Sequence, residues 1–331
     1  MKRVFVFEYL TGASAIDADD DATNELLTMG LAMRDALVLD LLRGKNLSIS
    51  AATNEAAPAL PGHTPAARDV RALKGESTLE FVARQSALHD LSWIVAPETG
   101  GLLAQFQRAV GVRRWLGCDA AAIVLAASKR STSRRLAGRD VATPWAFRNA
   151  PDVTRWVVKP DDGAGAVGTQ VHTSRSAALA DASSPHGAGA VSVIEPWVEG
   201  EPLSLSLLCS HSGAELLSIN RQCIHIDAHG IVSFGGVEIN AVPLAGERGH
   251  ALQRLADTVV RAMPGLHGFV GIDLVWHPQQ GPVVIEVNPR LTCAYVGLSA
   301  ALGRNLAAEL VAGHTTAPSD AASHDHAHAH T

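Results

Sequence analysis

The sequence predicts an α/β protein whose carboxyl-terminal half turns to α+β, and three observations carry that prediction. In the first hundred or so residues, short apolar runs alternate with stretches of helical periodicity, the pattern of an α/β domain. From Trp156 onward, runs with period-two alternation follow one another at hairpin spacing. The 331 residues are 47% hydrophobic and 18% charged with 29 Gly and 16 Pro, a folded composition sized for two or three domains.

Residues 3–7 are apolar and end at Glu8 and Thr11-Gly12, which reads as a buried first strand entering a loop. The acidic cluster Asp17, Asp19, Asp20 and Asp21 precedes a helical spacing of Leu26, Leu27, Gly30, Leu31, Met33 and Arg34, and is expected to act as a helix cap. Residues 49–68 are rich in Ala, Pro, Gly and Thr, helical periodicity returns over 77–91, and 92–96 read as a strand. At Trp115 the character changes. An Ala-rich helix follows Asp119, carries Ser128-Lys129-Arg130 and closes at Thr143-Pro144. Strands are expected at 156–160, 169–173, 187–195, 203–209, 215–226, 269–276 and 282–287, with helices at 248–263 and 298–310. The expected domains are 1–115, 116–194 and 195–312, followed by a disordered, His-rich tail over 313–331.

Several function classes are excluded early. A net charge of −6 and a pI near 6.2 argue against a nucleic-acid protein, which needs surplus Lys and Arg. The charge-free runs at 202–214 and 291–303 stop short of the roughly 18 apolar residues that span a bilayer. The basic start Met1-Lys2-Arg3 precedes an apolar run that ends at Glu8, too soon for a secretory signal, so a cytoplasmic protein is expected. Cys118, Cys209, Cys223 and Cys293 are scattered and are expected to be reduced, packed thiols.

The most informative segment runs from Gly271-Ile-Asp273 to Glu286-Val-Asn288-Pro-Arg290. A hairpin turning at Gln279 and Gln280 sets Asp273 opposite Glu286, and Asn288, two residues on, shares their face. Three hard oxygen donors on one face describe a magnesium site. A second element is Trp156-Val-Val-Lys159-Pro160 leading into Gly163-x-Gly165-x-x-Gly168. Alternation in 169–173 replaces the helix a dinucleotide fingerprint needs, so a hairpin lid is expected, its backbone amides closing over phosphates with Lys159 as a fixed cation. The third element, Glu195-Pro-Trp197-Val198-Glu199-Gly-Glu201, is a linker able to offer carboxylates to an adenine amino group and to ribose hydroxyls.

In this order the elements resemble the ATP-grasp ligases, from about Leu116 to Leu310. The resemblance rests on Gly117 … Ser128-Lys129 … Thr143-Pro144, on Lys159-Pro160 with the glycine loop, on the Glu195 to Glu201 linker, and on Asp273 … Glu286-x-Asn288-x-Arg290. It implies an ATP-grasp fold with an amino-terminal pre-ATP-grasp domain, a small lid subdomain and a carboxyl-terminal antiparallel-sheet subdomain. It further implies ATP held by Lys129, Lys159, Gly163, Gly165, Gly168, Glu195, Trp197, Val198 and Glu201, and magnesium, as two ions, on Asp273, Glu286 and Asn288. Arg290 would hold the transferred phosphoryl group, and Arg221 would stand in for a phosphate-binding lysine. Two departures stand out: Ser128 replaces the usual acid before the first lysine, and Asn220-Arg221 occupies the place where many members carry that lysine.

The implied reaction joins a small-molecule carboxylate to an amine through an acyl phosphate. Within the superfamily, Val4 to Tyr9, Ala96-Pro-Glu98-Thr-Gly-Gly101, Ser218 to Gln222 and Asn288 to Thr292 are similar to tyramine–glutamate ligases, which serve methanofuran-type cofactor synthesis. Glu8 and Glu98, each following an amino-terminal strand, are candidate anchors for a substrate ammonium. No nucleic-acid or membrane partner is expected, and many ATP-grasp enzymes are homodimers. Alternatives are another ATP-grasp amino-acid or dipeptide ligase and, from other classes, a non-catalytic nucleotide-binding module and a metal carrier using His324, His326, His328 and His330.

Overall fold

The computed structural model describes residues 1–13, 21–60, 65–151, 153–163, 165–183, 191–210 and 213–316. The expected acidic cap at Asp17, Asp19 and Asp20 and the His-rich end of the tail lie outside them. In chain order the elements are β1 (Lys2–Glu8), α1 (Tyr9–Gly12), α2 (Asp21–Leu42), β2 (Leu47–Ala52), β3 (Ala67–Val70), α3 (Thr78–Ala87), β4 (Leu91–Val95), α4 (Leu102–Val110), α5 (Ala120–Ala127), α6 (Lys129–Ala137), β5 (Trp156–Pro160), β6 (Gln170–His172), α7 (Arg175–Ala182), β7 (Ser192–Pro196), β8 (Glu201–Ser210), β9 (Gly213–Ile226), β10 (Val232–Val242), α8 (Glu247–Ala262), β11 (Gly268–His277), β12 (Gly281–Asn288), α9 (Leu298–Leu302) and α10 (Leu306–Thr316).

The first four strands form a parallel sheet in the order β3-β2-β1-β4. Parallel strands need both faces covered, which explains why the centre of β1, Val4 to Phe7, is apolar without interruption. Val4 and Val6 face Leu37, Val38 and Leu41 of α2, whereas Phe5 and Phe7 face Phe81 of α3 and Phe106 of α4. The Phe5 and Phe81 rings meet edge to face at 6.0 Å. Each such side chain, fully withdrawn from water, contributes about 2 kcal/mol of transfer free energy. Helix α3 begins with a capping box in which Ser77 and Glu80 satisfy each other's backbone amides. Strands β2 and β3 were not anticipated: the Ala- and Pro-rich composition of this stretch masks two short strands that depend on pairing with β1 for stability.

A three-stranded antiparallel sheet, β6-β5-β7, and a five-stranded one, β10-β9-β8-β11-β12, make up the rest. In the larger sheet Leu203, Leu205, Leu207, Ile219, Ile272 and Leu274 pack with Leu252, Ala256 and Val259 of α8. The opposite face is polar, with Glu286, Asp273, Ser204 and Asn220 in one cross-strand row. Strand β10 was missed by the sequence reading, as was α4. The helix expected across Ser128 is two helices. Ser128 is extended (φ −99°, ψ 112°) and its hydroxyl caps α6 by accepting from Ser131 N, so Lys129 opens a new first turn. The helix expected over 298–310 likewise breaks into α9 and α10 at Gly303, whose φ of 64° no helix interior holds. Of the four free cysteines Cys118 and Cys209 are buried, but Cys223 is exposed, contrary to expectation. Among the described residues no helix is long and apolar enough to cross a membrane.

Candidate active site between the central and carboxyl-terminal sheets

The β11–β12 hairpin sets Asp273 opposite Glu286, as the sequence reading expected, but by a different route. Its turn has three residues, Pro278 to Gln280, with His277 Nδ1 accepting from the amides of Gln279 (3.2 Å) and Gln280 (3.1 Å). That turn alone would pair Asp273 with Ile285. Ile285 is instead the extra residue of a β-bulge, which advances the register by one and brings Glu286 and Asn288 onto the face of Asp273.

Asp273 is held on both sides by amides: Asn288 Nδ2 donates to Oδ2 at 3.0 Å and Gln222 Nε2 to Oδ1 at 2.9 Å. Burial and the neighbouring charge of Glu286 push its carboxyl up to about 7. Because Asn288 spends its NH₂ on Asp273, its carbonyl oxygen is the atom left for another partner. Among the described residues no group of three His, Cys, Asp or Glu assembles a metal site, so any cation here is held by two carboxylates and an amide. Gln222 is a site residue that sequence reasoning missed; its spacing of two from the inward-facing Asn220 is the signal that could have found it.

Two lysines are buried in ion pairs, and one of them meets this group. Lys129 Nζ lies 3.0 Å from Glu286 Oε1 and donates to the carbonyl of Gly163 at 2.5 Å, joining the sheet to the glycine loop. Lys159 Nζ lies 2.7 Å from Glu195 Oε2, both side chains projecting from one face of the β5–β7 pair. The glycine segment is a hairpin connection between β5 and β6, with left-handed residues at Gly165, Ala166 and Gly168. Its root is fixed twice. The Asp161 carboxylate accepts from Ser128 Oγ (2.8 Å) and Arg130 N (2.9 Å) at the start of α6. Asp162 accepts from Gly100 N at 2.8 Å through its carboxylate and from Thr99 Oγ1 at 3.1 Å through its carbonyl. Ser128 thus has a partner suited to it, since its hydroxyl serves both Asp161 and the helix cap.

Arg290 and Glu98 meet as a two-point ion pair, Nε to Oε1 at 2.9 Å and Nη2 to Oε2 at 3.2 Å. Burial works against the Arg290 charge, and the Glu98 carboxylate more than restores it. Glu98 therefore does not stand free for a substrate ammonium. Neither does Glu8: its carboxylate caps α1, accepting from Leu10 N (3.3 Å) and Thr11 N (2.9 Å), and burial raises its pKa. Gly30 of α2 presses on it so closely that a β-carbon there would lie 2.6 Å from Oε2.

The expected linker residues are arranged around Glu201, which is shared between Arg221 Nε (3.0 Å) and Arg248 Nη2 (2.6 Å). Desolvation would raise its carboxyl, but the two guanidiniums hold it below the usual range. Arg221 also pairs with Glu238 at 2.7 Å and points along the sheet to these acids. Glu199 pairs with Arg155, whose guanidinium lies 5.4 Å from the Trp197 ring centre, and Val198 is buried. Gly200 packs against the Trp276 carbonyl where no side chain fits.

Comparison with known proteins agrees with this geometry. Residues 126–294 match the model of an ATP-grasp domain and residues 47–123 that of a pre-ATP-grasp domain. Among curated proteins none matches the chain in sequence. Among solved structures, an ATP-grasp superfamily protein of Archaeoglobus fulgidus aligns with a TM-score of 0.66 at 22% identity, covering 95% of this chain and 89% of that one. An L-amino acid ligase of Bacillus licheniformis gives 0.63 at 16% identity over 94% and 73%. A D-Ala:D-Ser ligase of Enterococcus faecalis gives 0.67 at 13% identity over 95% and 99%.

Proposed function

The chain belongs to the ATP-grasp family, and from that membership we propose that it is an ADP-forming ligase joining a carboxylate to an amine through an acyl phosphate. The observation that carries the proposal is the convergence of Asp273, Glu286 and Asn288 with Lys129 and Arg290 beneath one glycine-rich hairpin. The terminal phosphoryl group of ATP passes to a carboxylate oxygen, releasing ADP; the amine then attacks the carbonyl carbon and phosphate leaves.

A hard divalent cation such as Mg²⁺ suits the donor set, because two facing carboxylates and an amide oxygen are hard oxygen donors on one face of the sheet. Asp273, Glu286 and Asn288 would hold it, and when bound it supplies neutralisation of phosphate charge. The chain's own residues do the positioning. Arg290, held by Glu98, presents a fixed guanidinium to the transferred group. Lys129 and Lys159 offset phosphate charge, and Glu195, Trp197, Val198 and Glu201 line the nucleotide. The loop carrying Gly163, Gly165 and Gly168 covers the phosphates and excludes water that would hydrolyse the acyl phosphate. Glu98 positions Arg290 in this reading, and Glu8 shapes the end of β1.

For the substrates we favour the γ-carboxylate of glutamate and a phenolic amine, tyramine or tyrosine. The support is the similarity of the first strand, the Glu98 loop and the Asn288 to Thr292 segment to tyramine–glutamate ligases. An ADP-release screen pairing glutamate and other amino acids with tyramine, tyrosine and other amines tests both levels. Turnover with glutamate and a phenolic amine is expected. ADP release only from other pairs removes the substrate assignment and leaves the ligase; nucleotide binding without ADP release from any pair removes the ligase.

A further inference from the structure

The three-stranded sheet has a second face, and it is not used by the site above. Lys159 and Glu195 project from one side of the β5–β7 pair, whereas Trp156, Val158 and Ile194 project from the other, toward Ala178 of α7. On that outer side a cleft of about 560 Å³ opens between α6, α7 and the edge strand β7. Val193 and Glu195 border it because an edge strand is reached from both faces.

Three guanidiniums line the cleft: Arg130 and Arg134, one turn apart on α6, and Arg175 at the start of α7. Among the described residues none of them forms an ion pair with a carboxylate. Arg130 Nη2 donates to the Ser192 carbonyl at 3.3 Å, and the Arg175 guanidinium lies 5.1 Å from the Trp156 ring centre. Arg155, Arg221, Arg248 and Arg290, by contrast, each have an acid as partner. The cleft also holds two large apolar side chains that folding leaves in water, Trp145 at 46% and Leu179 at 50% exposure. The Trp145 indole has the Arg148 guanidinium 5.5 Å from its ring centre and remains nearly half exposed, and beside three guanidiniums without acid partners it is complementary to a molecule with a flat apolar body and anionic substituents: the indole takes the ring and the planar forks take phosphate, sulfonate or carboxylate oxygens. The volume suits one small molecule.

We propose that this cleft is a second ligand site, specific for a planar aromatic anion and separate from the nucleotide cleft. The inference is independent of the ligase reading. The two sites nevertheless share α6, which presents Arg130 and Arg134 to the outer cleft and Lys129 to Glu286.

The test uses the full chain and pyranine, a fluorescent pyrene trisulfonate, as probe, with a nonhydrolysable ATP analogue and Mg²⁺ at saturation so that the nucleotide cleft is filled. Fluorescence anisotropy should show saturable binding of one probe per chain. R134E/R175E should weaken it at least about tenfold, with W145A also weakening it. All three side chains changed are at least partly solvent-exposed, so melting temperature and ATP-analogue affinity should not move; R134A, which removes a single charge, should fall between wild type and the double variant. Three results each overturn the proposal: no saturable binding at millimolar probe, equal affinity in R134E/R175E, or displacement of the probe by the ATP analogue.

Discussion

The amino-terminal sheet and the cleft beside β11 and β12 both bury polar groups, but they treat them differently. In the sheet the partners are largely neutral side chains and backbone groups. His89 bridges Gln85 O (2.6 Å) and Ser50 Oγ (2.8 Å), Ser92 Oγ donates to Ser86 Oγ at 3.0 Å, and Glu8 caps the helix that follows it. In the cleft, charges meet across distant parts of the chain: Lys129 with Glu286, Arg290 with Glu98, and Lys159 with Glu195. Taking such charges out of water costs several kcal/mol per ion, and the same burial could be filled with apolar side chains at no loss of stability. Paired charges gathered in one cleft suit a charged ligand, whereas buried groups met chiefly by neutral partners serve the fold.

That contrast can be broken by substitution. E286Q should lower ADP release by about a thousandfold, since a hard donor is lost, and should also lower the melting temperature, since the buried Lys129 loses its carboxylate partner. Near-normal turnover at millimolar magnesium would remove Glu286 from the site. E98Q should lower kcat by about 10- to 100-fold and, because it leaves the buried Arg290 undercompensated, reduce unfolding free energy by about 3 kcal/mol; chemical denaturation and steady-state kinetics read the two effects separately. K159A should raise KM for ATP about tenfold with a smaller change in kcat. S77A belongs to the other region and should show the reverse profile, a loss of about 1 kcal/mol from the α3 capping box with unchanged kcat and KM.

The smallest effect sharpens the contrast through pH. The hydrogen bonds from Arg84 hold the Glu76 carboxyl below the usual range. The stability this pair contributes is present above the ordinary glutamate pKa and is lost as pH falls through the lowered one. E76Q should therefore flatten the acid limb of the stability curve by a few tenths of a kcal/mol, roughly, without touching turnover.

Much of the cleft was legible because its donors lie on two strands that alternate in plain sight. Asp273, Glu286 and Asn288 could be put on one face from spacing alone, although the argument used a two-residue turn where the molecule has a longer turn and a compensating bulge at Ile285. Bulges leave little trace in a run such as Pro282-Val-Val-Ile, since all its members suit a strand. Lysines 129 and 159 were found as cations without their partners, because Glu195 and Glu286 reach them through register and not through sequence distance. The Glu98–Arg290 pair was out of reach for the same reason: 192 residues separate them, and each alone looks like a site residue facing a substrate. Strands β2, β3 and β10 escaped because their residues become strands only beside neighbours that are themselves strands.

Asp161 and Asp162, adjacent in sequence, bind to different bodies, one to the head of α6 and the other to the loop after β4. The root of the glycine hairpin is therefore tied to two separate parts of the molecule by consecutive residues. Because Glu98 also pairs with Arg290, the three residues Glu98 to Gly100 are tied both to the root of the glycine hairpin and to that arginine, so a change in this short stretch reaches both at once.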